Sequence, residues 1–158
     1  MIHATASTHS GTHSEESRSH AAARAREHTH SARSQAERIV ELASHLDPAD
    51  RDLIDSIYRR GMTVAALARA SGVRRRRLND RLTRVLKHLQ SREFRFAISQ
   101  TELWPRNRAA VAKEVIFKRK SLRAAASQTG LSLWQVRKEL DAIRTLCNQA
   151  RDMGRLPA

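Results

Sequence analysis

Apolar residues recur at intervals of three and four along most of this chain, the spacing of helices that bury one face. Ile39, Val40, Leu42, Ala43 and Leu46 form one stripe, and Leu53, Ile54, Ile57 and Tyr58 a second. Leu78, Leu82, Val85, Leu86 and Leu89 form a third, on a helix expected from about Arg75 to Leu89. Val111, Val115 and Ile116 open a fourth, and a last helix is expected from Leu133 to about Ala150. Start signals fit these stripes. Ser34-Gln-Ala-Glu37 has capping-box spacing. Asp47 precedes Pro48, a cap followed by the residue that best suits the first helical position. Thr63 and Ser121 can each cap a short helix, Val64 to Ala70 and Leu122 to Gln128, and Ser132 can cap the last one. Asn107 or a neighbour starts the helix after Pro105. The fold class expected is all-α.

Two stretches of this pattern superimpose without a gap. Thr63-Val-Ala-Ala-Leu-Ala-Arg-Ala-Ser-Gly-Val lies on Ser121-Leu-Arg-Ala-Ala-Ala-Ser-Gln-Thr-Gly-Leu, with Gly72 on Gly130. The register extends both ways: Leu53 falls on Val111, Ile57 on Val115, Leu78 on Val136, Leu82 on Leu140 and Val85 on Ile143. A sustained ungapped register indicates one supersecondary unit used twice. Helix, short helix, glycine turn and longer helix make the helix-turn-helix pattern. Each turn between crossing helices calls for positive φ, which glycine adopts without a Cβ clash. Ala68 and Ala126 are small where two helices must come close.

The expected organisation is a disordered tail at 1–33, a first helix-turn-helix unit at 34–90, a linker at 91–106, a second unit at 107–150 and a frayed end at 151–158. The tail is rich in His, Ser, Thr, Ala and Arg and has almost no large apolar residue. Such a stretch cannot bury enough surface to offset its ordering entropy. Its six histidines include one close pair, His28 and His30, too little for a fixed metal site with supporting contacts. In the linker, Phe94, Phe96 and Ile98 alternate as in a short strand, although the stretch could equally extend the preceding helix.

Charge narrows the partner. Among 158 residues, 30 Lys+Arg stand against 16 Asp+Glu, a formal net charge of +14. That excess favours a polyanion. Arg supplies 25 of the cations and Lys 5, and Arg suits bidentate contact with phosphate and guanine. The one cysteine, Cys147, cannot form an intramolecular disulfide and falls on Leu89 in the repeat register, which suggests a small buried apolar residue. There is no membrane-length apolar run and no signal-peptide core, so a cytoplasmic, nucleoid-associated protein is expected. No phosphate-binding glycine loop, metal-protease helix motif or Cys/His pair at suggestive spacing occurs, and the carboxylates sit mostly at helix starts. No enzyme activity, catalytic residue, metal or other cofactor is expected.

The run from Leu46-Asp-Pro-Ala-Asp-Arg-Asp-Leu-Ile through Leu67-Ala-Arg-Ala-Ser-Gly-Val to Leu78, Leu82 and Leu89 resembles the C-terminal, region 4-like helix-turn-helix of sigma-70-type RNA polymerase sigma factors. The resemblance covers about residues 46 to 90 and, more loosely, 107 to 149. It implies a module that reads promoter DNA, with RNA polymerase as a further partner. Ala66 stands where that family commonly has glutamate, and Arg74 where its recognition helix opens with Ser or Thr; Ser132 fits in the second unit. A low-complexity tail occupies the place of the family's promoter-melting domain. A sigma-like DNA-binding regulator is therefore implied rather than a complete sigma factor.

A helical wheel anchored on inward Leu78 turns Arg76, Asn79, Asp80, Thr83, Arg84 and Lys87 outward. Arg76 and Asn79 are types that pair bidentately with guanine and adenine. Arg74, Arg75, Arg77 and Arg81 flank them and suit phosphates. The second unit offers Ser132, Trp134, Gln135, Arg137 and Lys138, beside the acidic Glu139 and Asp141. Trp134 has two readings: a contact in the groove, or packing against the linker or another helix. One unit could read DNA while the other contacts RNA polymerase or a second subunit. The alternative function is a protein-interaction module that binds RNA polymerase or an anti-sigma-like partner, with DNA contact secondary.

Overall fold

The computed structural model describes residues 12–154, with side chains described from Glu27 onward except that of His28. Every regular element among the described residues is helical. Helix α1 spans Thr12–Ala43 and starts well before Ser34. The expected cap at Ser34 is therefore an interior helical position. Alanine and arginine recur through this stretch and favour helix, and Arg33 pairs with Glu37 one turn on at 3.1 Å. Two units divide the chain, residues 1–37 and residues 38–158. The second holds the core.

After α1 come α2 (Pro48–Ile54), α3 (Val64–Ser71) and α4 (Arg75–Leu89), then α5 (Arg92–Gln100), and then α6 (Arg106–Val111), α7 (Leu122–Thr129) and α8 (Leu133–Asp152). The starts of α2, α3 and α4 precede those of α6, α7 and α8 by the same interval, 58 residues. Caps follow the register. Thr63 Oγ1 accepts from the Ala66 N–H at 3.1 Å, and Ser121 Oγ from the Ala124 N–H at 3.2 Å. Gly72 and Gly130 end α3 and α7 with φ of +66° and +70°, in the left-handed region. Asp47 does stand at the start of α2, but it caps with its backbone carbonyl, which accepts from Asp50 and Arg51 at 3.0 Å.

A shared irregularity deepens the repeat. α2 widens into a π-helical turn over Asp55–Arg59, and α6 into one over Ala112–Phe117. The Arg60 N–H bonds to the Asp55 carbonyl at 3.0 Å, and the Lys118 N–H to the Lys113 carbonyl at 3.1 Å. Next in line, the Met62 and Lys120 N–H groups bond back to Ser56 and Glu114, each at 3.0 Å. The residue between must be left-handed. In the first repeat it is Gly61, at φ +68°; in the second it is Arg119, at φ +54°.

The alternating stretch expected as strand or helix extension is a separate helix, α5. Gln90 and Ser91 interrupt the path from α4, and Ser91 Oγ caps α5 by accepting from the Phe94 N–H at 3.3 Å. α5 is central. One cluster of buried residues runs from Ala43, Leu46 and Ile54 through Val85, Leu89, Phe94 and Ala97 to Val111, Phe117, Val136 and Ile143. Both repeats thus contribute to a single core, and Phe94 is wholly buried within it.

Two stability outcomes are expected. Gly130→Val should cost more than about 1 kcal/mol through φ alone, since a Cβ there meets nothing within 4 Å. Arg119→Gly should raise stability by up to about 1 kcal/mol, the left-handed strain relieved minus the added unfolded-state freedom of glycine. Urea denaturation followed by circular dichroism measures both. With one shared core, Gly130→Val should shift a single transition; a second transition appearing at unchanged midpoint would show that the repeats unfold independently.

Candidate nucleic-acid interface

The turn at Gly72 delivers the chain into α4 with Arg74 at the N-cap. Arginine carries no acceptor, so its side chain caps nothing and the first-turn N–H groups have no side-chain partner. Arg74, Arg75, Arg76 and Arg77 are all exposed, and none makes an ion pair with a described residue. Four cations at the positive end of a helix are locally unfavourable, by roughly 0.3–1 kcal/mol each at low salt. Leu78, Val85 and Leu89 point into the core and hold this face outward. Asn79, Asp80, Thr83, Arg84 and Lys87 are exposed with the arginines, as the wheel requires. Arg84 lies back along its own helix, its Nε donating to the Asp80 carbonyl at 3.2 Å. Arg81 is engaged elsewhere. Its Nε and Nη2 both reach Asp50 Oδ1 at 2.7 Å, which ties α4 to α2.

The same place in the second repeat is built differently. Ser132 Oγ accepts from the Gln135 N–H at 3.2 Å, and Gln135 Oε1 accepts from the Ser132 N–H at 2.9 Å. This capping box occupies two of the five side chains that the sequence offered there as DNA contacts. Arg137 and Lys138 are exposed and make no ion pair with a described residue, while Glu139 turns to Arg108 at 2.9 Å. Trp134 is 67% exposed, with Lys138 Nζ 5.1 Å from its ring centroid. Packing of Trp134 against the former linker is thus overturned. Phe94 and Phe96 face inward from α5, and Phe96 packs on Trp104 at 5.9 Å instead.

Beneath the last turn of α4 lies a chain of rings that the sequence reading did not anticipate. His88 meets Phe94 edge-on at 4.9 Å, Phe94 meets Phe117 at 5.3 Å, and Phe117 meets His45 at 5.3 Å. Only the register offered a hint, because apolar Leu146 falls where His88 stands. Burial, and then the nearby Arg119 guanidinium, hold His88 below its usual 6.5, against the opposing pull of the Phe117 and Ile116 carbonyls and Asp50. Its Nε2 is buried with no hydrogen-bond partner among the described residues. Burial pushes the Glu114 carboxyl up, but hydrogen bonds from Lys118 and Lys120 outweigh it and keep it below 4.5. Burial likewise raises the thiol of Cys147, which is buried as its register with Leu89 suggested.

No group of three or more His, Cys, Asp or Glu among the described residues is placed to hold a metal ion. His3 and His9 of the tail lie outside those residues. No described helix is long and apolar enough to cross a membrane. In comparisons with family models, curated proteins and solved structures, nothing matches the chain.

His88 gives a pH test. Its folded-state pKa lies below the unfolded value, so the neutral ring contributes stability above about pH 6.5 that is lost as pH falls through the lowered value. Glu114 titrates in a separate, lower window, with stability lost as pH falls below 4.5. Urea midpoints measured from pH 7.5 to 5 should therefore fall in the native sequence and fall less in His88→Leu, which copies Leu146. Parallel slopes in the two proteins would contradict this account of His88.

Proposed function

We propose that the chain is a sequence-specific regulator of transcription that binds duplex DNA and reads the major groove with α4. The observation that carries this reading is the exposed, unpaired run Arg74–Arg77 on the uncapped first turn of a helix that follows a left-handed glycine. A solvated charge run would as readily spread along a helix. Here four consecutive arginines fall at the end where the backbone N–H groups also lack a side-chain cap, and both features favour phosphate. Arg76 within the run and Asn79 three residues beyond it stand on the exposed face and are residue types that pair bidentately with guanine and adenine edges. The net charge of +14 supplies the long-range attraction. On this reading the two repeats are helix-turn-helix units akin to the sigma-70 module, and RNA polymerase is a natural second partner. Arg81 contributes by holding α4 on α2 rather than by contacting phosphate.

Fluorescence anisotropy on a labelled duplex selected from a random pool provides the test. Affinity should fall steeply with salt, with a log–log slope near −0.9 per neutralised phosphate. Arg76→Ala and Asn79→Ala should each cost about 1–3 kcal/mol on the selected duplex and much less on a random one. Arg84→Ala should weaken both duplexes alike. Salt-independent binding, or no duplex binding at low salt, would refute the proposal.

A further inference from the structure

We infer that the exposed face of α8 around Trp134 docks a protein partner, one presenting an apolar pocket flanked by carboxylates. The argument begins with the repeat. At the positions where α4 carries Arg74, Arg75, Arg76 and Arg77, α8 carries Ser132, Leu133, Trp134 and Gln135. The backbone frame is the same, but the surface chemistry is exchanged from cationic to aromatic. The capping box engages the Ser132 and Gln135 N–H groups, so fewer are left there to attract phosphate than at the start of α4. Gln135, a type that can read adenine, is held in that cap. Asp141 lies on the exposed face one turn beyond Arg137 and Lys138, which leaves little net charge for a polyanion.

What remains is a large ring, two-thirds exposed, with a lysine ammonium over it. A tryptophan in that state leaves a large apolar area in water, and tryptophan and arginine at an interface centre commonly carry most of the binding energy. Lys138 stands over the ring, Arg137 is exposed three residues along the same helix, and neither makes an ion pair with a described residue, so a complementary surface would place carboxylates beside its pocket. A second copy of this chain is disfavoured as occupant, since each copy carries a charge of +14. Nothing in this inference depends on α4 binding DNA.

The experiment uses the full chain as bait for a displayed library of random peptides, with enriched peptides synthesised and titrated. Trp104→Phe makes Trp134 the only fluorophore of its kind. Enriched peptides should carry an aromatic or aliphatic residue flanked by Asp or Glu, and their binding should shift Trp134 emission to the blue. Trp134→Ala should reduce their affinity on the order of tenfold or more. Lys138→Glu should weaken them as well, and Arg76→Ala should not. Because the ring is exposed, the melting temperature of Trp134→Ala should stay unchanged, which separates lost docking from lost folding. Any of four results would overturn the inference: no convergent peptides; equal binding by Trp134→Ala; duplex or single-stranded oligonucleotides that quench Trp134 and lose affinity in Trp134→Ala; or self-association in sedimentation that Trp134→Ala abolishes.

Discussion

Phe94 is the contact on which the rest of this molecule depends. It sits at the start of α5, wholly buried, with His88 of α4 against one edge and Phe117 of the second repeat against another. Phe117 in turn meets His45, just past the end of α1. Four rings therefore join four parts of the chain, and the aliphatic core continues on either side of them. Edge-to-face pairs of this kind add about 0.5–1.5 kcal/mol each beyond their burial. Their larger effect is geometric. The two repeats become halves of one core, and their exposed helices are held by a common interior.

Constraint is distributed unevenly over the repeated frame. Turn, cap and core positions must satisfy the backbone, and there the two copies mostly agree, as in Gly72 with Gly130, Thr63 with Ser121 and Leu78 with Val136, although Arg74 stands against Ser132 and His88 against Leu146. Outward positions of α4 and α8 touch nothing the fold requires, and there the copies diverge completely. Arg119 is the most informative exception among the constrained positions. The π-helical turn demands a left-handed residue, yet arginine stands where the first copy has Gly61. Its guanidinium acts on His88 across the repeat boundary.

That division also explains what could be read from the sequence. Helix-breaking glycines, hydroxyl caps and three-four apolar spacing are local signals, and they placed α3, α4, α7 and α8 within a residue or two. The outward face of α4 followed from the wheel alone. α5 escaped because Phe94, Phe96 and Ile98 satisfy a period of two as well as one face of a short helix, although Ser91 offered the cap that distinguishes them. The diversion of Gln135 to Ser132 has the same capping-box spacing as Ser34 to Glu37 and was legible, whereas that of Arg81 to Asp50 was hidden. Asp50 lies 31 residues from Arg81, and only the folded chain brings them together. Trp134 was left between two environments because a wheel gives direction within one helix and says nothing of what lies opposite.

The two halves of the core also differ in how firmly they hold their short helices, and the difference bears on binding. α7 buries Ala125, whereas α3 buries no residue completely. α8 begins with a full capping box, whereas α4 begins with four arginines and no side-chain cap. The first repeat is therefore the half that gains most from an added anion. A phosphate at Arg74–Arg77 would satisfy the free N–H groups, neutralise cations that repel one another, and complement the positive end of α4 at once. Binding and local order would then be coupled, since whatever stabilises that first turn also fixes the reading side chains beyond it. Under the proposed function, such coupling would follow from placing the interface at the least stabilised end of the fold, where opening costs least. The second repeat, already capped and better packed, presents its tryptophan on a surface that needs no ligand to hold its shape.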